Sequence, residues 1–132
     1  MRISDRPAHP TARQQIGWVW EEKASRYLQR QGLRVLKRRY RCRVGELDLV
    51  CLDGTTLVVV EVRARSSTSF VDATESVDGR KRQRLVRATR YLLMTHPQWL
   101  DYPVRFDVLS ADDIDTKPRI RWIRNAFDAN LS

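Results

Sequence analysis

Acidic residues stand among aliphatic ones in the stretch GELDLVCLDGTTLVVVEVRAR, residues 45–65. The apolar neighbours of Asp48 and Glu61 predict strands that are covered on both faces, where an unpaired carboxylate is costly. A positive group is therefore expected beside these acids. Two explanations fit the pattern: the two carboxylates share a divalent cation, or Arg63 or Arg65 neutralises them as an ordinary ion pair.

A turn at Asp53-Gly54 decides whether the two acids can act together, because this dipeptide is a strong hairpin signal. Counting back from a two-residue turn places Asp48 opposite Val59 and makes it a diagonal neighbour of Glu61. Arg63 lies further along the same face. Diagonal neighbours are ~7–8 Å apart at their Cα atoms, close enough for two carboxylates to hold one cation. A three-residue loop would put the acids on opposite faces and exclude such a site.

A helix is predicted upstream of the acids, from an N-cap at Thr11 with Gln14 at the capping-box position to Gln31, before Gly32. Its apolar stripe consists of Ile16, Val19, Trp20, Ala24, Tyr27 and Leu28. Glu21 falls on the edge of that stripe. It is either a third oxygen ligand, which suits octahedral Mg²⁺ or Mn²⁺, or a solvated acid at the helix edge.

Three strand patterns, a second helix and two more strand patterns follow the first helix. The strands are predicted over Leu33–Arg41, Gly45–Leu52, Thr56–Arg65, Val104–Leu109 and Ile120–Arg124, and the second helix over Gly79–Thr95. The order α-β-β-β-α-β-β is typical of an α/β protein with one mixed sheet flanked by helices. Residues 1–10 are predicted to form a flexible arm, and residues 11–132 a single domain.

Basic residues lie on two faces of the second helix. Lys81 falls inside the apolar arc near the N-terminal end, so it either reaches a phosphate or lays its stem along apolar surface. Arg80, Arg84 and Arg87 on the outer face form either a phosphate-binding stripe or a solvated face. The core-facing residues are predicted to be Leu85, Val86, Ala88, Thr89, Leu92 and Leu93.

The overall charge favours a polyanionic partner. The chain of 132 residues has 25 Lys and Arg against 16 Asp and Glu, a formal net charge of +9. Nucleic acid is the first such partner to consider, and anionic membrane surfaces are a weaker rival. No segment approaches the ~18 apolar residues of a membrane span, and the two cysteines lack CxxC spacing, so we expect no membrane partner and a cytoplasmic location. Motifs for zinc, nucleotide cofactors and serine hydrolases are missing.

Several segments together resemble the YraN-type family of uncharacterised bacterial proteins, uncharacterised protein family 0102. The likeness rests on GELDL at residues 45–49, the DG turn, and VEVRAR at residues 60–65. Further matches are Glu21 with Ala24, Tyr27-Leu28, Arg41-Cys42-Arg43, Lys81 with Arg84-Leu85, Arg105–Val108 and Asn125–Phe127. This family looks like part of the PD-(D/E)XK nuclease superfamily. The resemblance implies a restriction-endonuclease-like mixed sheet and a relation to Holliday-junction resolvases.

The resemblance also implies a site. Glu21, Asp48 and Glu61 would bind Mg²⁺ or Mn²⁺ for phosphodiester hydrolysis of nucleic acid, DNA before RNA, with Arg63 as the fourth catalytic position. The candidate nucleic-acid contacts are Arg65, Arg80, Lys81, Arg84 and Arg87. A homodimer is expected, because resolvase-like enzymes cut two strands.

Two departures from the family pattern affect catalysis. The Glu-x-Lys motif appears as Glu61-Val62-Arg63, and arginine keeps its charge, so Arg63 is a poor general base although it can clamp a phosphate. Trp20 stands where the family usually has glycine, so its ring is expected to crowd the site. Two other functions therefore stay open. One is a non-catalytic nucleic-acid-binding module, and the other is an interaction adaptor whose basic face docks on an acidic protein.

Overall fold

The computed structural model describes residues 9–68 and 77–128. Its elements are α1 (Ala12–Arg30), β1 (Arg34–Cys42), β2 (Gly45–Asp53), β3 (Thr56–Ala64), α2 (Gly79–Thr95), a short 3₁₀ helix (Pro97–Trp99), β4 (Val104–Asp112) and β5 (Arg119–Phe127). The predicted order of helices and strands is confirmed, and β4 and β5 are longer than predicted. Residues 1–8 of the predicted arm lie outside the described residues.

One five-stranded sheet, in the order β1-β2-β3-β4-β5, separates the two helices. Neighbouring strands are antiparallel except for the parallel pair β3 and β4, which α2 connects. Helix α2 packs on one face, over a core that includes Val50, Val59 and Val108. Helix α1 packs on the other face, where Leu49 and Val60 are buried. No helix in the described ranges is long and apolar enough to span a membrane.

The N-terminus of α1 is fixed by the predicted capping box. The Gln14 backbone N–H donates to the Thr11 hydroxyl at 3.1 Å, and the Thr11 backbone N–H donates to the Gln14 side chain at 2.9 Å. Such a cap stabilises a helix by about 1 kcal/mol. The helix ends before Gly32, whose φ of 97° is a left-handed conformation that glycine adopts without strain.

Part of the predicted core face of α1 is wrong. Ile16 is 44% exposed and Val19 is 51% exposed, whereas Ala24 and Leu28 are fully buried. Trp20 and Tyr27 are partly buried. The apolar stripe continues along the whole helix, but only its C-terminal half lies on the sheet, and a periodic pattern does not show where a neighbouring sheet ends.

The bounds of α2 agree with the prediction at both ends. Asp78 caps the helix by accepting a hydrogen bond from the Lys81 backbone N–H at 3.0 Å. Of the six predicted core residues, five are buried and Val86 is partly buried. This helix lies across the sheet for its whole length, so here the periodicity predicted the buried face correctly.

The hairpin of β2 and β3 has a different register from the predicted one. The loop residues are Gly54 and Thr55, and Asp53 pairs with Thr56. Gly54 has a φ of 61°, which suits the first loop position. The turn therefore forms one residue later than a turn at Asp53-Gly54 would. Continued along the strands, this register places Asp48 opposite Glu61 instead of Val59. Because the shift is a whole residue pair, both acids stay on one face.

Candidate functional site

The backbone pairing between two central strands ends next to Asp48. Backbone pairing between β2 and β3 ends at Leu49 and Val60. Just beyond it, the Val62 backbone N–H donates to Oδ2 of Asp48 at 2.8 Å. The aspartate side chain thus satisfies a strand N–H after the last backbone pair. Because the donor is a backbone N–H group, this hydrogen bond holds the Asp48 side chain in a fixed orientation between the two strands.

Asp48 and Glu61 form a close pair of carboxyl groups. Glu61 is only 6% exposed, and its charge acts directly on Asp48. Burial, followed by the charge and hydrogen bond of Glu61, raises the pKa of Asp48 well above its ordinary value. The Val62 N–H and the Lys81 charge lower it by less. The fold has therefore brought together two acids that cannot both ionise cheaply.

Lys81 supplies positive charge to this pair. Its Nζ atom lies 3.5 Å from Oε1 of Glu61. The first turn of α2 positions it, and 29% of its side chain is exposed. The expectation that Lys81 faces the sheet is confirmed. A cation beside Glu61 thus comes from the first turn of α2.

A cavity of about 700 Å³ opens over the carboxyl pair. Its walls are the β1–β2 turn and the first turns of α2. The lining includes four cations and three acids: Arg41, Arg43, Lys81 and Arg84 with Glu46, Asp48 and Glu61. We call Arg41, Arg43 and Arg84 the rim arginines. The acids at the base and the cations at the rim can together hold an anionic group and a metal cation.

Gly45 sets how closely the hairpin approaches α2. A Cβ atom at this position would lie 3.3 Å from the Arg84 backbone oxygen and 3.5 Å from the Ala88 Cβ. The first contact is tighter than most real Cβ contacts, and its partner is backbone that cannot turn away. The residue before the Glu46-Leu47-Asp48 segment is therefore part of the cavity wall, because it lets the strand and helix close around the acids.

Glu21 lies on the other side of β2. Burial, followed by the negative charge of Asp48, raises the pKa of Glu21 to about 7, while the Arg39 charge opposes the shift. The Arg39 Nε atom is 3.2 Å from Oε1 of Glu21, within ion-pair range but without hydrogen-bond alignment. The neighbouring strand pairs place Arg39 opposite Asp48 in the β1–β2 ladder. Glu21 is thus close enough to Asp48 for their charges to interact.

The three predicted metal ligands are only partly assembled. Within residues 9–68 and 77–128, no three His, Cys, Asp or Glu side chains converge as a metal-ligand group. Asp48 and Glu61 meet in the first cavity, whereas Glu21 lines a second cavity of about 790 Å³ with Arg39 and Trp18. The Asp48 and Glu61 oxygens are nevertheless hard donors of the kind that Mg²⁺ and Mn²⁺ prefer. The donor set fits the predicted cation in its chemistry.

The predicted basic residues divide between the cavity and other surfaces. Arg63 is partly buried opposite Ser110 in the β3–β4 ladder, and it is not among the described residues that line the cavity. The Arg65 Nε atom donates to Asp112 at 3.2 Å, so this arginine belongs to an ion pair at the end of β3. Of the α2 basic residues, Lys81 and Arg84 line the cavity. Arg80 and Arg87 are exposed and lie outside its lining.

Neither N-terminal tryptophan lies in the candidate site. The Arg39 guanidinium is 5.0 Å from the centre of the Trp18 ring, so Trp18 packs within the protein. Trp20 lines a third cavity with Lys23 and Ile120. The expected crowding of the carboxyl pair by Trp20 is therefore wrong, because the helix turns this ring toward β5.

Arg39, Arg41 and Glu46 contribute to the site although the sequence did not single them out for it. Arg39 has a φ of 45°, an uncommon value for a residue other than glycine. Arg41 pairs with Glu46 at 3.5 Å across the mouth of the β1–β2 turn. A signal was present, since arginines alternate from residue 39 to residue 43 directly before the acidic stretch.

This geometry defines a class of protein. It is an α/β protein with a five-stranded mixed sheet and a carboxyl pair at the open end of a central hairpin. The chain belongs to the uncharacterised protein family UPF0102, whose sequence model matches residues 20–111. That range contains Glu21, Asp48, Glu61 and Lys81. The resemblance found in the sequence is thereby confirmed at the level of the family.

Relatives from pseudomonads have similar lengths. A UPF0102 protein of Pseudomonas aeruginosa strain LESB58 is 50% identical over 111 residues, which is 83% of this chain and 89% of the relative. One from Pseudomonas fluorescens strain Pf0-1 is 47% identical, over 87% of this chain and 94% of the relative. A third, from Stutzerimonas stutzeri strain A1501, is 46% identical, over 88% and 97%. The names of all three state the family and no activity.

Proposed function

We propose that this protein is a metal-dependent, nuclease-like protein of the PD-(D/E)XK superfamily that binds nucleic acid and hydrolyses phosphodiester bonds. DNA is the first candidate, and branched DNA follows from the resemblance to resolvases. The observation that carries the proposal is the carboxyl pair of Asp48 and Glu61, with Lys81 3.5 Å from Glu61, at the base of a cavity with a cationic rim. Fold stability does not explain why a buried acid lies beside a partly buried one.

Asp48 and Glu61 would hold Mg²⁺ or Mn²⁺, with Glu21 as the third oxygen donor that the family resemblance implies. When bound, such a cation supplies an activated water and offsets charge on the phosphate. The chain's own contribution is positional. The Val62 N–H fixes the orientation of Asp48, and the rim arginines would bind phosphate oxygens next to the bond that is cut.

Lys81 takes over the role that the motif gives to lysine in the Glu-x-Lys pattern. Arg63 occupies that position in the sequence but not in the cavity lining, whereas the Lys81 ammonium group reaches Glu61 from α2. A lysine can orient a nucleophile or hand over a proton, which an arginine does poorly. We therefore assign to Lys81, and not to Arg63, the lysine function of the site.

The alternative is a nucleic-acid-binding module without catalysis. It is favoured by the Glu61-Val62-Arg63 sequence and by the separate positions of Glu21 and the carboxyl pair. In that case the rim arginines bind a phosphate backbone, and the acids do not hold a cation. Both functions require a steep loss of affinity with salt, because neutralised phosphates release counterions. An adaptor for acidic proteins requires no such response to nucleic acid.

Cleavage assays separate the enzyme from the binding module. Branched, single-stranded and duplex DNA and RNA are incubated with the protein in Mg²⁺ or Mn²⁺, and products are resolved on denaturing gels. We expect products with wild type and Arg63→Lys, at least ~100-fold less with Asp48→Asn or Lys81→Gln, and unchanged amounts with Asp101→Asn, an exposed control acid. Binding without products from wild type and Arg63→Lys alike would favour the module.

Calorimetric titration with Mn²⁺ tests the cation without any turnover. Wild type and Asp101→Asn should bind the ion, and Asp48→Ala and Glu61→Gln should not. Equal heats in all four proteins would contradict a site at the carboxyl pair. If nucleic-acid affinity were also insensitive to salt, the adaptor reading would replace both leading functions.

A further inference from the structure

A groove between α1 and β5 has a different composition from the candidate site. It forms a cavity of about 370 Å³ lined by Trp20, Lys23, Arg26, Arg30, Pro118 and Ile120. Half of these residues are cations and none is acidic, whereas acids form the base of the Asp48 cavity. We propose that this groove binds single-stranded nucleic acid, at a site separate from the carboxyl pair.

The cations of the groove follow one line along α1. Lys23, Arg26 and Arg30 are all exposed, and their spacing of three and four residues places them on the same side of the helix. At 1.5 Å of rise per residue they extend over roughly 10 Å. The partner of Arg26 is Glu22, four residues earlier, at 3.3 Å, with 64% of the arginine side chain exposed. Such a surface pair is weak, so a phosphate can compete for the guanidinium.

An aromatic ring lies beside this line of cations. The Nζ atom of Lys23 is 4.7 Å from the centre of the partly exposed Trp20 ring. A phosphate would draw this flexible side chain outward and leave the ring face for a base to stack on. A second ring lies on β5, two residues after Ile120, where the Arg124 guanidinium is 4.0 Å from the centre of Trp122.

Rings next to cations are what a single strand requires, because its phosphates and its unpaired bases are both accessible. A duplex keeps its bases stacked inside and would engage only the cations. Trp122 is held rigidly, since its Nε1 atom donates to Asp107 at 2.9 Å and Tyr27 packs against it edge to face. The groove thus combines the Trp20 ring with movable cations on the helix, and the fixed Trp122 ring lies two residues along β5 from Ile120 of its lining.

The position of the groove separates it from the candidate site. It lies on the α1 face beside the edge strand β5, whereas the carboxyl pair faces Lys81 of α2 from β2 and β3. Strand β4 and the thickness of the sheet lie between them. One branched molecule can therefore place a single-stranded arm in the groove while another part occupies the cavity. The inference rests on the nucleic-acid partner of the proposed function but not on hydrolysis.

Fluorescence anisotropy with a labelled oligodeoxythymidine tests the groove. We expect Trp20→Ala to bind at least ~5-fold more weakly and Trp20→Phe to keep most of the affinity, because phenylalanine still stacks. A Lys23→Gln/Arg30→Gln variant should lower the slope of log affinity against log salt by about 1.4, for two phosphate contacts on a single strand. Lys117→Gln, an exposed cation outside the groove, should match wild type. Circular dichroism and melting curves confirm that each variant is folded.

Three results would overturn the inference. The first is loss of oligodeoxythymidine binding in Lys81→Gln/Arg84→Gln but not in the groove variants. The second is an equal effect of Trp20→Ala on inorganic polyphosphate or on anionic phospholipid vesicles, which would show a general anion surface. The third is no binding by wild type.

The groove and the proposed function can fail separately. If the groove variants bind the oligonucleotide normally while Asp48→Asn loses cleavage, the groove inference alone is contradicted. If binding depends on the groove but there is no cleavage, no metal binding and no role for the rim arginines, the proposed function alone is contradicted.

Discussion

Two aspartates of the same sheet, Asp107 and Asp48, are surrounded by protein in opposite ways. Asp107 on β4 is 1% exposed and accepts hydrogen bonds from Arg105, from Trp122 Nε1 at 2.9 Å and from the Asn125 backbone N–H at 2.9 Å. Asp48 accepts one backbone hydrogen bond and faces the acid Glu61. The first has a guanidinium and neutral donors around it, and the second lies beside another carboxyl group.

The difference separates an acid whose hydrogen bonds the fold satisfies from one whose hydrogen bonds it does not. A buried carboxylate with donors on both oxygens is accounted for by the fold, since its neighbours replace the water it lost. Asp107 ties β4 to β5 in this manner and holds Asn125 at a φ of 50°. The contact between Asp48 and Glu61 costs free energy in the isolated protein. Buried acids that the fold does not satisfy are typical of sites that meet a cation or a proton during function.

Asp107→Asn should have the largest effect on stability. The amide would place N–H groups toward donors and would leave Arg105 without its fully buried carboxylate partner. We expect the free energy of unfolding to fall by about 3 kcal/mol, measured by urea denaturation. Asp101→Asn, at an exposed position, should stay within about 0.5 kcal/mol of wild type. A loss below about 1 kcal/mol in Asp107→Asn would show that its hydrogen bonds are replaceable, and the comparison would fail.

The same substitution at Asp48 should act in the opposite direction. An asparagine oxygen still accepts from the Val62 N–H, and its NH₂ group can donate to Glu61, so two acids no longer face each other. We expect a gain of about 1 kcal/mol in the free energy of unfolding at pH 8.

The gain in Asp48→Asn should shrink as the pH falls. In wild type the pKa of Asp48 is higher in the native than in the unfolded state, so the native state loses stability as the pH rises above the unfolded value. Urea denaturation between pH 5 and pH 8 measures this trend. A destabilised Asp48→Asn would mean that Asp48 is a structural acid like Asp107.

Glu21 gives a smaller effect that depends on pH. Its pKa rises from 4.5 in the unfolded chain to about 7 in the native protein, so protonation favours the native state. The contribution is fully present below about pH 4.5 and is lost as the pH rises to about 7. The Glu21 side chain is 17% exposed, so we expect a change on the order of 1 kcal/mol.

The difference in unfolding free energy between Glu21→Gln and wild type isolates this group from the other acids. Measured between pH 4.5 and pH 8, the variant should become relatively more stable as the pH rises. Glu22→Gln is the matched control, because Glu22 is on the same helix but forms exposed ion pairs with Arg26 and Arg38. A constant difference for Glu21→Gln would show that burial does not shift this carboxyl group.

The sequence predicted the elements and the paired acids because both depend on local patterns. Thr11 and Gln14 mark the start of α1, and the parity of the hairpin puts Asp48 and Glu61 on one face for any turn that contains an even number of residues. Their contact across the strands was not predictable from the turn dipeptide alone. Whether Gly54 occupies the first or the second loop position shifts the pairing by one residue pair, and the whole sheet decides between them.

The partners of the acids depend on tertiary packing, which a pattern along one chain does not contain. Arg63 was expected beside the acids from its strand parity, yet Lys81 of α2 approaches Glu61 because Gly45 lets the helix come close to β2. The ion pair between Glu21 and Arg39 joins two elements in the same manner. The acids were predictable because they lie on one hairpin. Most of their cationic partners were not, because they come from elements that are distant in sequence.

The rim arginines should have the smallest effect on stability and a clear effect on binding, the reverse of Asp107. Arg41 is half exposed and pairs with Glu46 at 3.5 Å, so Arg41→Gln should change the free energy of unfolding by less than about 0.5 kcal/mol. Arg43→Gln should be equally mild. In titrations of duplex and branched DNA at several salt concentrations, each variant should lower the slope of log affinity against log salt by about 0.9, one phosphate contact on a duplex. Lys117→Gln should leave that slope unchanged. Unchanged slopes in both rim variants would mean that the cavity does not contact a phosphate backbone.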